Sequence, residues 1–486
     1  MSTSKEIAGR DLEMAPDRDG SASRIQLIVS SYLLIYFLYQ FAWAFYATTV
    51  ALFWSHKDAF GLELSTTFFI IAFSLFFEAL LEAPSGFIAD RSGRRFATVL
   101  GFLLLLASFA VYFVYGLLAI KGGSPPGQYW ALLVAVIAEA SLAAGVAFLS
   151  GSLEAWMVDA VKADDPDYSH DVTFARQHRL RNVGWLVGGA LGLGLYALSD
   201  NAVLKDFPYV VLSPWGISIL ICVLGAYVSY VFMSADSTGR RAPHVVDGGS
   251  ADVRLSFRQC LRVFWKNGVI RDSTLLAVVS YMLVFTIGYY WATFFRDLSG
   301  PAGKSTESEA TSIVSYLWVI WLFITLSRIL GSTISSRLSR SDYTRTHIMT
   351  IGLVVNAVGI ISFCSLAILK SPSPDALGLG FVYGLVALLF LGRLGEEIYK
   401  PLVNAILNDK ISGPYRATML SIKESIVHGA NALVFVVVGF LGGASPKIEV
   451  YWLILAVALL VFGLMLIRSL RAHIGSYSGA AAGKAP

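Results

Sequence analysis

The chain has 486 residues, of which 56% are hydrophobic and only 14% charged, with a formal net charge of +4. Soluble globular proteins carry roughly 25% charged residues, so the composition excludes an ordinary soluble domain and makes lipid the main solvent. Cys222, Cys260 and Cys364 are too few and too scattered for a disulfide framework or a metal motif.

In chain order, residues 1–24 are polar and charged, with no cleavable signal, and are expected to form a flexible cytoplasmic tail. Uncharged runs then recur at Ile25–Ser55, Phe96–Ile120, Asn182–Ser199, Phe207–Ala235, Ser273–Phe295, Thr346–Leu369 and Ser425–Pro446. Each can supply the roughly 20 apolar residues that cross a hydrocarbon core. Further spans carry a few charges: Ser65–Ile88, Tyr129–Val161, Ala310–Ile334 and Ala376–Leu407, with Trp452–Ile467 completing the set. Helices are expected throughout, because backbone in lipid must satisfy its own hydrogen bonds. The expected fold class is an all-α membrane protein with twelve transmembrane helices.

With the N-terminus inside, 26 basic residues fall on inside segments and seven on outside loops. This asymmetry predicts both termini in the cytoplasm of a multi-pass protein of the cell inner membrane. The longest inside connection divides the spans six and six. The expected divisions are an N-terminal six-helix bundle over 25–233, a cytoplasmic linker over 234–271, a C-terminal six-helix bundle over 272–470 and a cytoplasmic tail over 471–486. Within the linker, Phe257, Cys260, Leu261 and Phe264 share one helical face, and Arg254, Arg258 and Arg262 repeat every four residues. That pattern predicts a basic amphipathic helix on an anionic lipid surface, or else a solvated linker helix.

Ionisable groups inside spans are costly and must face a cavity or a partner. The second span carries Glu78 and Glu82 one turn apart. Two carboxylates so close do not both ionise cheaply, so they are candidates for carrying a proton, against a plainly structural buried Glu. Glu154 in the fourth span is assigned to a cavity. Glu139 is either a gate or a helix–helix contact. In the tenth span the four-residue spacing pairs Arg393 with Glu397, and Glu396 with Lys400. Arg328 needs a carboxylate. Lys423, Glu424 and His428 share the eleventh span, and His428 suits proton traffic or simple packing. Tyr36, Gln40 and Trp43 form a polar aromatic stripe on the first, for an organic ligand or for interhelical hydrogen bonds.

The stretch "GFIADRSGRR", Gly86 to Arg95, ends the second span in opposed charges. Gly86 admits a close helix neighbour, and Asp90 could meet the positive end of a helix. The start of the eleventh span at "SGPYRAT", with Pro414, is the candidate. Arg91 and Arg94 require anions, and Asp159 closes the fourth span at the same face. A degenerate copy, "GSTISSRLSR", begins at Gly331, 245 residues on, and Arg176 and Arg416 correspond at an offset of 240.

The pattern G-x-x-x-D-R-x-G-R-R, with Gly86, Asp90, Arg91, Gly93 and Arg94 in place, resembles motif A of the major facilitator superfamily. With twelve spans, the six-and-six division and the degenerate copy, the resemblance covers the whole chain. It implies two bundles about a central site, and secondary transport by alternating access. It also implies a conformational latch at Gly86, Asp90, Arg91, Gly93, Arg94 and Asp159, closed when the site faces out. "GWLVGGALGLGLY" in the fifth span is similar to the glycine-rich antiporter motif of drug exporters without its proline, and the basic residue those exporters carry in the fourth span is missing, Glu154 being the prominent charge there.

No G-x-x-x-x-G-K-[ST] nucleotide loop is present. The resulting expectation is a non-enzymatic, monomeric carrier with no cofactor and no nucleic-acid partner. Its partners are the bilayer, a small-molecule substrate and protons, with Glu78, Glu82, Glu154, Arg393, Glu397, Lys423, His428, Tyr36, Gln40 and Trp43 forming the cavity. Proton-coupled efflux of a drug-like compound or metabolite is expected first, and uptake of a small organic solute second. A membrane-embedded enzyme and a non-transporting sensor are the rivals from other classes.

Overall fold

A computed structural model describes residues 18–56, 59–122, 127–166, 168, 171–199, 208–233, 257–298, 307–338, 344–370, 379–410, 416–442 and 447–482. Six long helices come first: α1 (Arg18–Ser55), α2 (Leu64–Ser92), α3 (Arg94–Lys121), α4 (Gln128–Asp164), α5 (Asp171–Ser199) and α6 (Ser213–Phe232). A short helix, α7 (Phe257–Lys266), follows. Six more long helices complete the chain: α8 (Gly268–Asp297), α9 (Glu307–Leu338), α10 (Arg345–Lys370), α11 (Leu379–Lys410), α12 (Arg416–Gly442) and α13 (Ile448–Ala482).

Among the described residues, ten helices are long and apolar enough to cross a membrane by length and composition. The exceptions among the long helices are α5 and α11, of 29 and 32 residues. At about 1.5 Å per residue both exceed a 30 Å hydrocarbon core. Both carry charges: Arg176, Arg179 and Arg181 near the start of α5, and Arg393, Glu396, Glu397 and Lys400 on α11. Of these, Arg393 and Glu396 are buried in the protein. Large apolar side chains such as Leu220, Tyr227, Leu433, Val437, Phe440 and Phe462 are instead exposed, as expected where the surrounding solvent is lipid.

The first six helices pack mainly on one another, through α1 with α5 and α6, α3 with α4 and α6, and α2 with α4. Helices α8 to α13 do the same through α10 with α11 and α13, α9 with α11, and α8 with α13. The two sets meet chiefly where α2 lies on α12, α5 on α9 and α1 on α8. Within the first set, the rings of Tyr46, Phe53, Phe109, Tyr112 and Trp215 form one aromatic core. In the second, Phe294, Phe295, Phe363 and Trp452 do so.

Small residues bring backbones together, as in membrane helix packing generally. A Cβ added to Gly331 on α9 would stand 2.5 Å from the Leu394 carbonyl oxygen of α11. The close approach expected at Gly86 is therefore found at its second-half counterpart. Gly86 itself has nothing within 4 Å of that position, because it is on an exposed face of α2.

Three segment expectations change. Helix α1 begins at Arg18, ahead of residue 25, and Arg24 pairs with Asp164 at 3.3 Å. Helix α13 continues to Ala482, through most of the expected tail, and His473 on it reaches Asp272 on α8 at 3.2 Å. Helix α7 does not rest on lipid alone: Phe264 is 1% exposed and packs with Ile270, Leu407, Met419 and Ile422, while Val263 and Trp265 face outward. Arg254 and residues 234–253 lie outside the described residues, as do residues 1–17 and 483–486 of the tails.

Candidate functional site: a cavity between the two helix sets

Helices α1, α2, α4, α5, α8, α9, α11 and α12 line a cavity of about 450 Å³. Its two long walls differ in charge. Arg181 (α5), Arg328 (α9), and Arg393 and Lys400 (α11) reach it on one side, where α5, α9 and α11 pack in series. Glu78 (α2) and Glu424 and His428 (α12) reach it on the other. Aromatic and amide groups of α1 and α8 lie between, among them Tyr39, Gln40, Trp43, Tyr281, Phe285 and Tyr289.

The carboxylates serving the basic wall stand behind it. Arg328 Nε meets Glu397 Oε1 at 3.0 Å, with the two side chains 17% and 12% exposed. Glu396 is fully buried and holds both Arg393, at 2.5 Å, and Lys400, at 3.3 Å. Lys400 also sits 4.3 Å from the Tyr281 ring centre, and Arg328 5.6 Å from that of Trp185, distances at which the ring faces stabilise a cation. This arrangement gives Arg328, Arg393 and Lys400 carboxylate partners behind the wall while leaving the faces they turn to the cavity positive.

On the acidic wall, Glu78 and Glu82 are one turn apart on α2, and Glu424 and His428 one turn apart on α12. His428 Nδ1 and Glu78 Oε1 are 3.5 Å apart. Lys423 pairs with Glu424 at 2.7 Å. Among the described residues, neither Glu78 nor Glu82 has a lysine or arginine partner.

The helix ends carrying Arg94, Asp159 and Lys410 form a basic end, and those carrying Ser55 and Arg296 the far end. At the far end the sets are joined. Arg296 donates to Ser55 Oγ at 2.7 Å, and the hydroxyls of Thr67 and Tyr290 are 2.9 Å apart. At the cavity, which all three line, Trp185, Trp321 and Trp291 stack with centroid spacings of 6.1 and 5.9 Å. The Trp321 indole fits against Gly189, where any side chain would collide with it. At the basic end Arg94 pairs with Asp159 at 3.0 Å within the first set. The Asp90 side chain and residues 411–415, including Pro414, lie outside the described residues.

The helix arrangement is one seen before. It matches a crystal structure of a POT family transporter in complex with a thioalcohol-conjugated peptide, with TM-score 0.65 and 13% identity over 92% of this chain and 96% of that one. A POT family transporter with 5-aminolevulinic acid gives TM-score 0.63 at 13% identity, over 92% and 96%. The nucleoside transporter NupG gives 0.62 at 14% identity, over 91% and 98%. The fold is that of solved membrane transporters. No family model matches the chain, and no curated protein matches it in sequence.

Of the residues expected at the cavity, Gln40, Trp43, Glu78, Arg393 and His428 line it. Glu82 adjoins it through Glu78 and His428, and Glu397 and Lys423 act as counter-ions behind its walls. Glu154 accepts a hydrogen bond from Gln177 at 2.8 Å and, with Tyr36, stands beside Arg181 instead of lining the cavity. The expected Arg393–Glu397 pair is replaced by Arg393–Glu396, because Arg328 takes Glu397 from the neighbouring helix. Glu139 is a helix–helix contact: Tyr46 and Tyr112 both donate to its Oε1 at 2.7 Å. Arg181, Trp185, Trp291 and Trp321 were not anticipated. For Arg181 the signal was available, since Arg181, Trp185 and Gly188 repeat at helical spacing on one face of α5.

Proposed function

We propose that this chain is a secondary transporter of the major facilitator type, with twelve membrane-crossing helices in two six-helix bundles and both termini in the cytoplasm. Its cargo is a small organic molecule bearing both an anionic and a cationic or strongly donating group. The reading is carried by the cavity between the helix sets, with four cations on one wall and two carboxylates and a histidine on the other. Such a site orients a dipolar solute by its two ends, carboxylate or phosphate towards Arg181, Arg328, Arg393 and Lys400, amine towards Glu78 and Glu424. Two of the solved structures of this fold carry ligands with amine and carboxyl chemistry, a peptide conjugate and 5-aminolevulinic acid, which supports this class.

Without a nucleotide loop, an ion gradient is the energy source, and Glu78 and Glu82 are its proton carriers. Among the described residues they have no lysine or arginine partner, only His428 beside them, so neutralisation by a proton offsets the cost of a carboxylate charge there. The direction proposed first is export in exchange for protons, with uptake as the alternative. The test is transport of a panel of amino-acid, peptide and amino-phosphate solutes into proteoliposomes under an imposed pH gradient of either sign. Gradient-dependent movement of a dipolar solute supports the reading and assigns the direction. Movement of purely apolar cations only, or of nothing in the panel, removes the substrate class.

A further inference from the structure

A second chemistry is available where α2 meets α12; it uses the two carboxylates proposed above as proton carriers, which a bound cation occupies in place of protons. One oxygen each of Glu78 and Glu82 and one ring nitrogen of His428 lie within 4.8 Å of one another. The three side chains are partly shielded, at 13% and 14% exposure for Glu78 and His428. Two further observations bear on what this cluster can hold. His428 Nδ1 is buried and has Glu78 Oε1 at 3.5 Å without hydrogen-bond geometry to it or to any other group. Among the described residues, the two carboxylates have no lysine or arginine partner, whereas Glu424 beside them is already engaged by Lys423. From these facts we infer that Glu78, Glu82 and His428 form a binding site for a divalent transition-metal cation that fastens α2 to α12.

The donor set fits the ligand. Two carboxylates and one imidazole suit Zn²⁺, Co²⁺, Mn²⁺ or Fe²⁺, whereas Mg²⁺ favours an all-oxygen shell. Tetrahedral metal–ligand bonds of about 2.0–2.2 Å require the donors to draw together by up to roughly 1.5 Å, within reach of side-chain rotation. The i,i+4 spacing on α2 puts both carboxylates on one helix face, and His428 approaches from the other helix. The helices facing each other here belong to different sets, so a bound cation links the sets directly. Water or solute from the adjoining cavity can complete the coordination, since Glu78 and His428 both line it.

The experiment uses the full chain in detergent, stripped with EDTA and titrated with Co²⁺. Metal content, the visible ligand-field absorption of Co²⁺ and the thermal midpoint are recorded. The expected result is one Co²⁺ per chain, a spectrum indicating mixed nitrogen and oxygen ligands, and a raised midpoint that Mg²⁺ does not reproduce. Glu82→Gln and His428→Ala each weaken binding by about 100-fold or more, while His347→Ala, at an exposed histidine starting α10, leaves it unchanged. The two site variants lie on different helices, so misfolding of one leaves the other to decide. No stoichiometric cation, equal binding of Mg²⁺, or binding that survives both site variants overturns the inference.

Discussion

Arg328 on α9 and Glu397 on α11 are joined at 3.0 Å across the interior of the second helix set, both largely screened from solvent. Removing one partner of such a buried pair strands the other charge, at a cost of roughly 3–5 kcal/mol. Glu397→Gln is therefore expected to lower thermal stability in detergent markedly, and Arg328→Met combined with Glu397→Met to recover much of the loss. A Glu397→Gln protein that unfolds at the wild-type temperature would show that Arg328 finds its support elsewhere.

Arg94 and Asp159 form a different kind of pair. Asp159 is about half exposed, and an ion pair in that setting contributes about 0–1 kcal/mol. Asp159→Asn and Asp90→Asn are expected to leave insertion and stability near wild type while slowing turnover several-fold, since both residues belong to the proposed latch. Equal turnover at equal expression in both variants rejects the latch.

Among the described residues Glu82 has no lysine or arginine partner, and His428 is the basic group beside it. If Glu82 carries the coupling proton, Glu82→Gln removes proton-driven transport while leaving solute exchange across a membrane without a gradient largely intact. The check is a side-by-side measurement of both modes in proteoliposomes. Loss of both to the same extent assigns Glu82 a structural part.

Glu139 receives two tyrosine hydroxyls in the middle of the first set. Glu139→Leu leaves Tyr46 and Tyr112 as buried donors without acceptors, at about 1–3 kcal/mol each. Glu139→Gln keeps an acceptor oxygen and is expected to retain most of the stability. Thermal unfolding of the two variants distinguishes this contact from a gating role, which would spare stability and alter transport.

The helices and their charges were legible because hydropathy and local spacing are properties of neighbouring residues. The Glu396–Lys400 pair follows from a single helical turn and is present at 3.3 Å. Partners on different helices were not legible. Glu397 could be paired with Arg393 by spacing alone, yet Arg328, 69 residues earlier, takes it. Likewise Glu78 and His428 were each recognisable as ionisable groups in apolar spans, but their meeting depends on α2 lying against α12. Arg181 sits at a span boundary, where charge alone does not distinguish an anchor from a cavity wall; only its helical spacing with Trp185 and Gly188 marks it.

Gly189 and Trp321 act as a key and its slot. The indole occupies the volume that a side chain on α5 would fill, and its Nε1 donates to the Trp185 carbonyl one turn away. Translating α5 along α9 by one residue would drive the ring into Ala190 or the bulk of its neighbours, whereas tilting leaves the slot intact. That junction consequently behaves as an axle: it resists sliding and tolerates rotation, so hinge-like swinging and not shear is the motion this seam allows.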